Sequence, residues 1–202
     1  MRQLRFEGEK LVESYLDLRM LLGLLGVSLP LVLPLLAGQL QPSISDFYAT
    51  RSRDVLVGVL FVIGGFLLAY RGYEAIDDVA GNVGGFAALF VALFPSTSSS
   101  AAVQTIHFVA AATLFLTFAF FCWFLFTKRD PKHTIITPRK VLRDRIYRIS
   151  ALLIVLGMAA VGVHALAHPN PNSHFVYYAE TEMLWAFGFA WGVKGRALLA
   201  DP

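Results

Sequence analysis

Apolar residues gather in six runs along the chain, near Met20–Ala37, Asp54–Tyr70, Val79–Phe94, Ala102–Thr127, Ile149–His168 and Phe175–Val193. Crossing ~30 Å of hydrocarbon at ~1.5 Å per residue takes about 20 residues. Each run therefore has close to the length of a transmembrane helix. Short polar segments separate them, and none is long enough to fold by itself. The pattern predicts an all-α polytopic membrane protein, a single bundle of six transmembrane helices over residues 20–200. Residues 1–19 follow another rule: Leu4, Leu11, Tyr15 and Leu18 share one helical face, which predicts an amphipathic segment along the membrane surface. Glu7, Glu9, Glu13 and Asp17 precede the first run and no clear small-residue cleavage site follows it, so that run reads as an anchor.

Six spans leave both termini on one side, and cytoplasmic loops collect Lys and Arg. Of the 17 basic residues only Arg51 and Arg53 fall on the other side, so both termini are expected in the cytoplasm. Composition agrees: 56% hydrophobic and 15% charged residues in 202 positions exclude an ordinary soluble domain. The net charge of +3 resides mostly in "KRDPKHTIITPRKVLRDR", which suits headgroups or the docking of a cytoplasmic partner and calls for no nucleic acid. The lone Cys122 excludes an intrachain disulfide.

Pro30 and Pro34 remove two backbone donors from the first span. Gly58 and Gly65 in the second span, and Gly81, Gly85, Ala88 and Ala92 in the third, have the spacing of close helix contacts. Asp54 shares the Gly58 stripe and is expected to point into the bundle.

Counting ~1.5 Å per residue from the basic end of each helix places Asp54, His107, His164, His168, Glu180 and Glu182 roughly 18–31 Å away, in the outer half of the membrane. Glu180 and Glu182 are about 200° apart on a helix, so they cannot both face inward. Glu180 shares a face with Leu184, Phe187 and Trp191 and is the expected inward acid, and an intramembrane acid marks a candidate site. In "FYATRSRDVLVG", Ser52 is a candidate helix cap and the only two outer cations stand at the same depth as these acids. Arg51 or Arg53 is expected to pair with Asp54, Glu180 or Glu182, or to hold an amphiphile's anionic head. Tyr48 and Tyr177 are candidate rim donors. His164 and His168, at i and i+4, suit two imidazoles on one metal, with His107 as a third ligand to zinc.

The runs "ISDFYATRSRDVLVGVLFVIGGFLLAYRGYE", "RDRIYRISALL" and "AFGFAWGVKG" resemble a bacterial family of six-span membrane proteins of about this length. The resemblance spans most of the chain from about Ser43 and implies that fold and a bacterial inner-membrane location. It carries no catalytic residues. A looser chemical analogy is to the membrane hydrolases related to alkaline ceramidases and adiponectin receptors, which use three histidines, an aspartate and a serine around zinc. His107, His164, His168 and Asp54 offer such groups. That superfamily has seven core spans with its paired histidines on the last, whereas here the pair is on the fifth of six.

Two functions therefore compete. The first is an outward-facing polar pocket that binds a lipid or another amphiphile, or an accessory subunit of a membrane complex. The second is a metal-dependent lipid hydrolase at the outer leaflet, with Glu180 or Asp54 as ligand or general base. A transporter ranks below both, because the inner half of the bundle offers few polar groups beyond Asn82 and Ser150.

Overall fold

The computed structural model describes residues 2–72, 74–128, 137–167, 170 and 173–195, with side chains from Ser14 onward. Among these residues the protein is all-α, with six α-helices and no strand. They are α1 (Arg2–Ala37), α2 (Arg53–Ala69), α3 (Ala75–Leu93), α4 (Ala101–Phe120), α5 (Pro138–Leu166) and α6 (Phe175–Lys194). A 3-10 helix over Ser45–Ala49 precedes α2, and a π-helical turn over Phe121–Leu125 extends α4.

Four of the helices are long and apolar enough to cross a membrane: α1 over Ser14–Ala37, α3, α4 with its π-helical turn, and α5. Of the other two, α2 has 17 residues and α6 carries Glu180, Glu182 and Lys194. Residues 2–19 continue directly into α1, so the amphipathic segment and the first run are one helix of 36 residues. Likewise α5 begins well before its apolar run, at Pro138, where Thr137 caps it by accepting from Lys140 N at 3.1 Å.

Each helix packs on its neighbours in the order α1, α6, α5, α4, α3, α2, and α2 closes the ring on α1. Small residues set the tightest approaches. A Cβ at Gly23 would stand 2.7 Å from Gly188 O, and one at Gly188 would stand 2.6 Å from Gly23 O, so α1 and α6 touch backbone to backbone. Between α2 and α3 the contact is Gly64 on Gly85, where a Cβ at Gly85 would lie 2.9 Å from Gly64 O. This corrects the expected stripe on α2: Gly58 and Gly65 are exposed, and a Cβ at either meets nothing within 4 Å. Asp54, placed by that stripe, is exposed as well. One residue is about 100° of helix, enough to turn the predicted face outward.

A neighbouring helix makes up for Pro34, the second of the two prolines of α1. Pro34 cannot donate to the Pro30 carbonyl, and the Tyr177 hydroxyl does so at 2.6 Å. Trp185 Nε1 donates to Val27 O at 3.0 Å and Ser52 Oγ to Leu33 O at 2.7 Å. Ser52 stands at the start of α2 but spends its side chain on α1, with no side-chain capping bond. The core thickens around Trp191, whose ring meets Phe66, Tyr70, Phe121, Phe126 and Phe187.

Candidate functional site

Gly38, at φ 78°, ends α1, and its N–H closes the helix on Pro34 O at 2.8 Å. The chain then crosses the end of the bundle as a strap over residues 41–50. His174 Nδ1 hydrogen-bonds Gln41 O at 3.1 Å, and Tyr177 N donates to Pro42 O at 2.9 Å. Ile44 N donates to Glu180 Oε2 at 2.6 Å. Ser45 Oγ meets His107 Nε2 at 2.9 Å, and Asp46 Oδ1 accepts from Ser96 Oγ at 3.3 Å. Phe47 is fully buried beneath the strap. Three titratable side chains from three helices or loops thus converge on one short segment.

The protonation of His107 follows from its partners. Nδ1 lies 2.7 Å from Phe94 O, and a carbonyl only accepts, so Nδ1 carries the proton. In the neutral imidazole Nε2 is then the acceptor for the Ser45 hydroxyl, which leaves the Ser45 oxygen lone pairs free. Glu180 uses Oε2 on Ile44 and keeps Oε1 available.

Beside these groups lies a cavity of about 270 Å³ between α4, α5, α6 and the strap. Its polar end is formed by Ser43, Ser45, His107 and Glu180, and its walls include Phe108, Phe115, Met158, Val161 and Met183. Phe108 is 60% exposed, so the cleft opens between α4 and α5 at the bundle surface. One polar end and a long apolar wall fit an amphiphile. The available groups are acceptors, Glu180 Oε1 and the Ser45 oxygen, together with the Ser43 hydroxyl. Asp46 stands close enough to act on Glu180 electrostatically.

The predicted site residues divide. Glu180 and His107 come together through the strap. Tyr177 is buried and is committed to α1. Arg53 Nη2 donates to the Tyr48 hydroxyl at 2.7 Å, with its guanidinium 4.3 Å from that ring's centroid. Arg51, Arg53 and Asp54 are exposed, and among the described residues none of them pairs with Glu180 or Glu182. The expected arginine–acid network is replaced by a backbone amide: Ile44 N fills the place assigned to a guanidinium. Glu182 is exposed and lies in a separate groove of about 610 Å³ with Ile149, Tyr178 and Trp185.

Of the expected zinc ligands, His107 and His164 lie among the described residues. Both ring nitrogens of His107 are engaged within the bundle, and His164 stacks on Phe175 at 4.4 Å between centroids. His168 lies outside the described residues. Among the described residues no group of three His, Cys, Asp or Glu side chains is placed to hold a metal ion.

Hydropathy and spacing do not single out Ser43, Ser45 and Asp46. Their signal is the turn-forming run "PSISD", in which Ser43 Oγ accepts from Asp46 N at 3.2 Å. No protein-family model, no curated protein and no solved structure matches the chain.

Proposed function

We propose that the protein is a six-span bundle of the bacterial inner membrane, with both termini cytoplasmic, that binds the polar head of a lipid or other amphiphile in the cleft under the strap. Support for the topology is the distribution of Lys and Arg and the four helices apolar enough to span. Support for the binding comes from one observation, the cleft of about 270 Å³ whose single polar end holds Glu180, His107, Ser43 and Ser45. The arginines lie elsewhere, so the head that this end favours is a hydrogen-bond donor, an amine or a hydroxyl, rather than an anion. A carboxylate that binds an amine in a place poor in water gains more than a neutral pair does.

The test is mass spectrometry of small molecules and lipids retained by protein purified in a mild neutral detergent. Wild type is expected to retain an amine- or hydroxyl-headed amphiphile that Glu180→Gln loses. Identical lipid content in the two proteins would refute the reading.

A further inference from the structure

A second polar cluster lies at the opposite end of the bundle, where α1, α6 and the π-helical turn meet. The Arg19 guanidinium sits over the Tyr15 ring, 4.4 Å from its centroid, and 5.9 Å from that of Tyr70. The end of α6 is pressed against it: a Cβ at Gly195 would stand 3.3 Å from Arg19 Cβ. Lys194 Nζ donates to Phe126 O at 3.2 Å and lies 5.6 Å from the Phe126 ring centroid. Trp191, one turn earlier, is edge-on to both Tyr70 and Phe126. The π-helical turn sets this up, because its wider ladder, Phe126 N to Phe121 O at 2.8 Å, carries Phe126 into the core.

Three buried side-chain atoms of this end have no hydrogen-bond partner: the Tyr15 hydroxyl, Arg19 Nε and Trp191 Nε1. Each is a donor. Trp191 is fully buried, so solvent does not satisfy it. Among the described residues no carboxylate pairs with Arg19 or Lys194. Asp144, close enough to act on Lys194, is already paired with Lys140. Buried polar groups are nearly always satisfied, and the Tyr15 hydroxyl and Arg19 Nε, with Lys194 as a second cation, lack only an acceptor.

We propose that Arg19, Lys194 and Tyr15 bind a phosphate group, carried by an anionic phospholipid or free in solution. Phosphate supplies several acceptor oxygens around one centre, enough for donors arriving from two helices. The site stands at the end of the bundle with most of the basic residues, where pockets between helices take phosphorylated headgroups.

The experiment is thermal unfolding in dodecyl maltoside with added phosphatidylglycerol, dioleoylglycerol or sodium phosphate. Saturable stabilisation by phosphatidylglycerol, with none by dioleoylglycerol, is the expected result. If sodium phosphate reproduces it the source is the free anion, and if not the source is the lipid. Lys194→Gln is expected to raise the half-saturating concentration at least tenfold. Tyr15→Phe, which removes a hydroxyl without a partner, should leave the unliganded melting temperature unchanged and still weaken binding severalfold. Arg145→Gln, an exposed cation on α5, should behave as wild type. Equal responses to both lipids with none to phosphate would overturn the proposal. So would unchanged half-saturation in both Lys194→Gln and Tyr15→Phe.

Discussion

The Tyr177 hydroxyl donates at 2.6 Å to the carbonyl of Pro30, the acceptor that Pro34 leaves without a helical partner. α6 thereby completes the hydrogen bonding of α1. Tyr177→Phe is expected to cost about 1–2 kcal/mol, since it strands a buried acceptor. Pro34→Ala restores the missing N–H, so in that background the same change should cost much less. A double-mutant cycle of thermal unfolding in detergent checks the coupling.

Helix contacts give a second prediction. Gly188→Ala places a Cβ 2.6 Å from Gly23 O and should destabilise by about 1–3 kcal/mol, because neither backbone can yield. Gly58→Ala and Gly65→Ala enter open space and should be neutral or slightly stabilising. Melting temperatures of the three variants decide it, and a larger loss at Gly58 than at Gly188 would reverse the assignment of packed faces.

These glycines show what the sequence conveys and what it withholds. The helices are legible because hydropathy over about 20 residues is a strong signal. α3 is legible in face as well, since Gly81, Gly85, Ala88 and Ala92 are all buried. On α2 two adjacent glycines, Gly64 and Gly65, allow either rotation, and only the fit to Gly85 selects Gly64. The partner of Glu180 was illegible for another reason. Backbone amides carry no residue-type signal, so Ile44 N could not compete on paper with Arg51 or Arg53. Likewise His107 reads as a metal ligand until Phe94 O and Ser45 Oγ occupy both of its nitrogens.

The buried Asp77, 1% exposed, pairs with Lys128, which also meets Glu74 at 2.9 Å. Partial desolvation pulls the Lys128 pKa down, and its hydrogen bonds to Asp77 and Glu74 outweigh this, so the pKa lies above the ordinary lysine value. A raised folded-state pKa contributes stability that is complete below about pH 10.4 and is lost as pH rises through the folded value. The melting temperature of wild type should therefore fall above about pH 10.4, and that of Lys128→Met should fall less steeply. At neutral pH Lys128→Met should itself be destabilised by about 1.5–3 kcal/mol, because the buried Asp77 carboxylate loses its charge-assisted bond to Lys128.

Orientation is open to direct labelling. Cys122 is buried, so an introduced cysteine reports alone. Thr97→Cys, exposed between α3 and α4, should react with a membrane-impermeant maleimide added outside bacterial spheroplasts. Arg145→Cys should react only after lysis. The opposite pattern would place the strap and its cleft on the cytoplasmic side.

Glu180 at the polar end of the cleft is the centre of the account, and titration with hexadecylamine tests it most directly. Wild type in neutral detergent should bind hexadecylamine saturably and hexadecanoate far more weakly. Glu180→Gln should weaken the amine about tenfold or more, as expected for loss of a charge-assisted bond, while Glu182→Gln should leave it unchanged. No saturable binding, or a loss as large for Glu182→Gln as for Glu180→Gln, would contradict the assignment of the cleft as the site.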